Sequence, residues 1–232
     1  YEIFRCHPKR EEIVRGLLGA DLVGFHTYGY LRHFRSTVLR LLGIESHEAA
    51  ISHETGRTHL GVYPIGINAP KFESELKSKR GEKARKQIRT NFAGRRIVLS
   101  VERLDYTKGI PNRLEAIDHF LSTYTDRDHI VFIFVSVPSR EAVPEYQHLR
   151  EEVQRHVGEL NGRYATMVNS PIHFIYNPVK FEELAALYSL ADVCLVTPLM
   201  DGMNLVAKEY VACQDEDPGV LVLSEFAGAA QE

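Results

Sequence analysis

Between residues 96 and 224 the chain repeats one pattern: a short, nearly continuous apolar run, a stretch with helical spacing, then another apolar run. The runs cover 96–101, 129–136, 172–176, 193–196 and 220–224, and the helical stretches cover 110–124, 146–160, 181–190 and 205–214. In the first helical stretch Leu114, Ile117 and Leu121 fall on one face. A strand without polar alternation must be covered on both faces, and strands separated by helices run parallel. The pattern therefore predicts an α/β fold, a Rossmann-like parallel sheet with helices on both faces, over 95–232. Such sheets bind ligands outside the carboxyl ends of their strands, so the residues after each run are where chemistry is expected.

The first part of the chain reads differently. Helical stripes at 10–18 and 28–42 flank a short apolar run at 20–25, and the polar stretch 44–60 is expected to be irregular or a hairpin. Two prolines and two glycines in 61–70 mark an extended connection, and the charged run 71–90 is expected to be a solvated helix. The expected division is thus 1–63, a connection with a charged helix over 64–94, and the regular domain 95–232. With 28 basic and 31 acidic side chains the net charge is -3, so no global positive field exists to hold a nucleic acid or an anionic membrane. No apolar run reaches the ~18 residues that would span a bilayer. Cys6, Cys194 and Cys213 are too far apart for a disulfide framework or a metal knuckle, which suits a reducing, cytoplasmic setting. The histidines form no His-x-x-x-His pair and no Gly-x-Ser-x-Gly elbow occurs, so zinc and serine hydrolase chemistries have no support.

Three strand ends carry candidates. Arg103 and Lys108 follow the first run on a turn ending at Gly109, where a planar fork and a point charge suit a diphosphate; surface ion pairs with Glu102 and Asp105 are the alternative. Arg140 follows the second run at the same edge. After the fourth, Asp201-Gly202-Met203-Asn204-Leu205 opens a helix whose unpaired amides favour a phosphate. Asp201 and Glu209 either hold sugar hydroxyls or act as an N-cap and a solvated helix residue. His26 ends the run at 20–25 and is either a ligand group or a satisfied structural histidine.

The run Asp201-Gly202-Met203-Asn204-Leu205-Val206-Ala207-Lys208-Glu209-Tyr210-Val211-Ala212-Cys213-Gln214 and the run Val101-Glu102-Arg103-Leu104-Asp105-Tyr106-Thr107-Lys108-Gly109 resemble the trehalose-6-phosphate synthase family of retaining glucosyltransferases. Further matches in the family's order include Gly24-Phe25-His26-Thr27-Tyr28, Pro64-Ile65-Gly66-Ile67, Val137-Pro138-Ser139-Arg140, Glu145-Tyr146-Gln147 and Ser224-Glu225-Phe226-Ala227-Gly228-Ala229. The resemblance implies the GT-B fold: 95–232 as the nucleotide-sugar domain, and 1–63 as the tail of a second Rossmann-like domain on the acceptor side. It implies transfer of glucose from UDP-glucose to glucose 6-phosphate, with the nucleotide sugar as substrate, no cofactor and no metal. Arg103 and Lys108 would bind the donor's diphosphate, His26 and Asp201 the transferred glucose, and Glu209 the ribose. Gly202, Met203, Asn204, Leu205 and Val206 would line the donor loop, Val179 would face the base, and Arg140 would hold the acceptor's phosphate. A homo-oligomer is compatible with this family. Met200 and Asn68 depart from its usual Arg and Asp, at positions outside those roles. Arg140 would equally serve a related transferase with another phosphorylated acceptor, such as glycerol 3-phosphate; a non-catalytic sugar-phosphate sensor would be marked by loss of Arg103, Lys108 or Glu209, and all three are present. The resemblance further implies an internal fragment, inactive alone because part of the cleft lies outside it.

Overall fold

The computed structural model describes residues 1–54, 56–215 and 218–231. The 44–60 stretch is therefore described apart from Thr55, and 95–232 apart from Glu216, Asp217 and Glu232. The chain divides into two compact units, Tyr1–Ile65 and Gly66–Glu232.

In the first unit, α1 (Arg10–Leu17), β1 (Leu22–Phe25) and α2 (Tyr28–Leu42) are followed by β2 (Ser46–His47), β3 (Ala50–His53) and β4 (Gly56–Val62). The strands form one sheet in the order β1-β4-β3-β2, with β1 and β4 parallel and the other pairs antiparallel. The polar 44–60 stretch is thus hairpin structure whose last strand returns beside β1. Thr27 caps α2 by accepting from the amide of Tyr30, and Gly43 closes it in a left-handed conformation (φ 68°). Val14, Leu18, Val38, Ile51 and Leu60 fill the core.

The second unit begins with α3 (Ala69–Leu76) and α4 (Lys79–Asn91). Here the expectation of one solvated helix in a connecting segment is corrected in two respects. Ser78 is extended and caps α4 through the amide of Gly81, which splits the run into two helices. Phe72, Leu76 and Ala84 are buried, with Phe72 against Phe181 and Tyr188, so both helices belong to the second unit's core. Most of the charges occupy the outer faces, as amphipathic packing requires, while Glu75 and Arg85 are partly buried.

The strands β5 (Arg96–Arg103), β6 (Ile130–Val137), β7 (Ile172–Ile175), β8 (Val193–Val196) and β9 (Val220–Leu223) alternate with α5 (Ile110–Thr123), α6 (Pro144–Tyr164), α7 (Phe181–Leu190) and α8 (Leu205–Ala212). All pair parallel, in the order β7-β6-β5-β8-β9. One sheet face packs Leu99, Ile133 and Cys194 against α3, α7 and α8; the other packs Phe132 and Phe134 against α5 and α6. Each such side chain, fully buried, contributes about 1.5–3 kcal/mol. The second face is covered only in part: Val193, Leu195, Val220 and Val222 line an open groove of about 1150 Å³ beside α5.

From β5 the chain builds outward to β6 and β7, then crosses back to β8 on the other side of β5. The loops leaving β5 and β8 therefore lead to helices on opposite faces of the sheet, α5 and α8, and this switch point is where open sheets of this kind bind ligands.

Candidate active site

The loop after β5 is folded by its own side chains. Asp105 caps a single 3-10 turn, 106–108, by accepting from the amide and hydroxyl of Thr107 at 2.9 and 2.8 Å. Gly109 then takes a left-handed conformation (φ 64°) to start α5, and a side chain there would press on the carbonyl of Thr197. The loop after β8 joins this turn, as Leu199 N–H donates to the carbonyl of Thr107 at 2.8 Å.

At that junction Lys108 Nζ is paired with Asp201 Oδ2, both largely shielded from water. Asn204 Nδ2 donates to the same carboxylate at 3.0 Å, and Asn204 Oδ1 caps α8 through the amide of Ala207. To do both, Asn204 adopts a left-handed backbone (φ 74°). The N-cap is therefore Asn204, and the alternative that gave Asp201 this task is not realised. Behind the loop, Gly228 N–H donates to Asp201 O, and Ala229 N–H donates to Met203 O at 2.7 Å. Met203 itself is buried, Gly202 and Leu205 are partly exposed, and Val206 and Val179 each pack on the core.

Ion pairs of Arg103 and Lys108 with Glu102 and Asp105 are likewise not found. Arg103, the last residue of β5, is exposed, and its side chain has no hydrogen-bond or ion-pair partner among the described residues. Glu102 is buried with Arg113 of α5, whose Nη1 meets both carboxylate oxygens at 2.6 and 2.7 Å. The same guanidinium donates to Thr197 Oγ1 at 2.8 Å and to the carbonyl of Lys108 at 3.0 Å, so one buried arginine ties together the loops after β5 and β8. No sequence pattern announced it, because Glu102 and Arg113 meet only through the packing of α5 on the sheet.

Glu209 is not a solvated helix residue. It is half-buried and accepts from the Tyr188 hydroxyl at 2.9 Å; desolvation raises its pKa, with that hydrogen bond opposing the shift. Burial pushes the Tyr188 phenol well above its usual range, followed by the charge of Glu209. Arg140 lies beyond β6 with φ 48° and donates to Tyr146 Oη at 2.8 Å. His26 belongs to the first unit, where it follows β1, is exposed, and places Nδ1 3.3 Å from the carbonyl of Tyr63. Among the described residues no three His, Cys, Asp or Glu side chains gather as a metal site would, and no helix is long and apolar enough to cross a membrane.

This geometry matches known proteins over the whole chain. The chain is 46% identical over 231 residues to the 56 kDa subunit of the UDP-forming alpha,alpha-trehalose-phosphate synthase of Saccharomyces cerevisiae, covering 99% of itself and 47% of that protein. It superposes with a TM-score of 0.94, at 35% identity, on an Escherichia coli structure described as trehalose-6-phosphate bound with UDP-2-fluoro glucose, covering all of this chain and 52% of that one. A UDP-forming synthase from Burkholderia xenovorans in complex with glucose-6-phosphate gives a TM-score of 0.94 at 36% identity, over all of this chain and 53% of the other. The chain thus spans about half the length of the relatives it matches. The model of glycosyltransferase family 20 matches residues 1–232, and with a GT-B relative superposing on both units the chain belongs to that family.

Proposed function

We propose that this chain carries the donor site of a retaining glucosyltransferase that moves glucose from UDP-glucose to glucose 6-phosphate, yielding trehalose 6-phosphate and UDP. The observation that carries the reading is the junction of Lys108, Asp201 and Asn204 at the switch point, with the unpartnered cation of Arg103 on the same strand edge. Family membership and relatives bound to a UDP-sugar analogue and to glucose-6-phosphate support it.

Glycosyl transfer develops positive charge on the sugar ring and negative charge on the departing phosphate. Fixed cations at that phosphate act where charge appears, and they are most effective when held in place beforehand. At an effective dielectric near 20, a cation about 4 Å away is worth on the order of 4 kcal/mol before desolvation. In the proposed complex the diphosphate competes with Asp201 for Lys108, which turns the carboxylate toward the glucose hydroxyls. The first-turn amides of α8, at Leu205 and Val206, have no intrahelical acceptor and supply further donors to the diphosphate. Glu209 would take the ribose, Val179 would lie by the base, and Arg140 would take the acceptor's phosphate. On the same ground His26 would hydrogen-bond the transferred glucose.

Product analysis on the full-length protein tests this, with UDP-glucose or GDP-glucose as donor and glucose 6-phosphate or glycerol 3-phosphate as acceptor. Trehalose 6-phosphate and UDP are expected, and Lys108→Ala should lower kcat by about 100-fold or more, exceeding its effect on donor binding. Turnover only with glycerol 3-phosphate would make the protein a related transferase. Binding of sugar phosphate without transfer to any acceptor would make it a sensor.

A further inference from the structure

Arg140 is held from behind. Its guanidinium donates to Tyr146 Oη at 2.8 Å, and the Tyr146 hydroxyl donates to Asp105 Oδ2 at 3.2 Å. The other oxygen of Asp105 accepts from Thr107, the neighbour of Lys108. A continuous hydrogen-bonded chain thus runs from Arg140, through the first turn of α6, to the turn that bears Lys108. Tyr146 is 4% and Asp105 7% exposed, so water does not compete for these groups. The Tyr146 ring is fixed edge-on against Tyr106, and the Arg140 guanidinium lies 5.4 Å from its centre.

The polarity of this chain is settled by its members. Burial opposes ionisation of Asp105, but the hydrogen bonds from Thr107 and Tyr146 outweigh it and hold the carboxyl below its usual range. Burial, with the bond to Asp105, pushes the Tyr146 phenol upward. At neutral pH the phenol therefore stays protonated, donates its one O–H hydrogen bond to the carboxylate and leaves its lone pairs for Arg140. With one N–H spent on Tyr146, the guanidinium plane is fixed and its remaining donors keep a set direction, which a two-oxygen anion requires.

We infer that Tyr146 is a positioning residue: its hydroxyl, anchored on Asp105, aims Arg140 and so selects an acceptor that carries a phosphate group. This rests on the acceptor role proposed above for Arg140. The competing explanation is a plain structural rivet between α6 and the 106–108 turn.

The test is a double-mutant cycle in the full-length protein, with Tyr146→Phe, Arg140→Ala and the pair, each assayed for kcat and for KM of both substrates. Tyr146→Phe keeps the ring and its packing. It should raise the KM for glucose 6-phosphate about ten-fold, the scale of one lost hydrogen bond to a charged group, with kcat and the donor KM within about two-fold. In the Arg140→Ala background the same change should add less than about two-fold, because its route to the phosphate is gone. Asp105→Asn, which keeps an oxygen for Thr107 but takes the acceptor from the phenol, should raise the same KM. An unchanged acceptor KM in Tyr146→Phe, equal changes for both substrates, or an undiminished effect beside Arg140→Ala would each leave only the rivet. An unchanged acceptor KM in Arg140→Ala itself would remove the phosphate role of Arg140, and this inference with it.

Discussion

Glu102 and Arg113 carry opposite charges with side chains only 5% and 3% exposed, so each depends on the other for its solvation. Removing one partner strands a buried charge, whereas replacing both with apolar groups removes the problem. Arg113→Ala should therefore cost about 3–5 kcal/mol in urea unfolding. Glu102→Leu combined with Arg113→Met should cost less than the single change, and a double variant as unstable as Arg113→Ala would show that the charges are not the cause. The pair also explains a failure of local reading. Adjacent residues on a strand point to opposite faces, so Glu102 follows Ser100 toward α5 while Arg103 is exposed. Proximity in sequence offered Glu102 as a partner for Arg103, and the pleat of the strand separated them. Lys108, by contrast, could be placed beyond the carboxyl end of a strand from sequence, though its pairing across 93 positions with Asp201 could not.

At the scale of elements, the 201–204 loop depends on a second loop that holds it through the backbone. A single bridge joins Asp201 and Ala227, and Gly228 lies so close to Gly202 that an added Cβ would come within 2.2 Å of its carbonyl oxygen. Backbone cannot yield as a side chain tip does. Gly228→Ala should therefore displace Asp201 and lower kcat/KM by on the order of 100-fold, the effect of a misplacement near 1 Å, while leaving the far-ultraviolet circular dichroism unchanged. Unaltered kinetics would mean that the 201–204 loop holds its shape without this support. The strands and most helices were legible because hydrophobic period is a local property, and α6 was only extended at its ends, from 146–160 to Pro144–Tyr164. The division of 69–91 was not, since the length of a charged run says nothing about Ser78 or about the core that receives Phe72.

At the scale of the whole molecule, two units of different sheet order share one chain, and the second carries every proposed donor contact except His26. Its sheet is apolar on both faces but covered unevenly, which leaves Val222 42% and Val220 59% exposed beside the groove. Exposed apolar surface of this kind attracts apolar probes or other chains. The 232-residue chain should accordingly enhance the emission of an environment-sensitive apolar dye, and Val222→Lys should reduce that signal at least two-fold; an equal signal would place the dye elsewhere. What the sequence determined by itself was the alternation of strand and helix, the parallel sheet that alternation requires, and the strand ends at which chemistry could lie, all set by periodicity and short-range turn chemistry. The tertiary structure alone decided which charges meet: Lys108 with Asp201, Glu102 with Arg113, and Arg140 through Tyr146 with Asp105. Those partners sit on different elements, and strand order together with helix packing, rather than any local pattern, brings them within hydrogen-bonding reach.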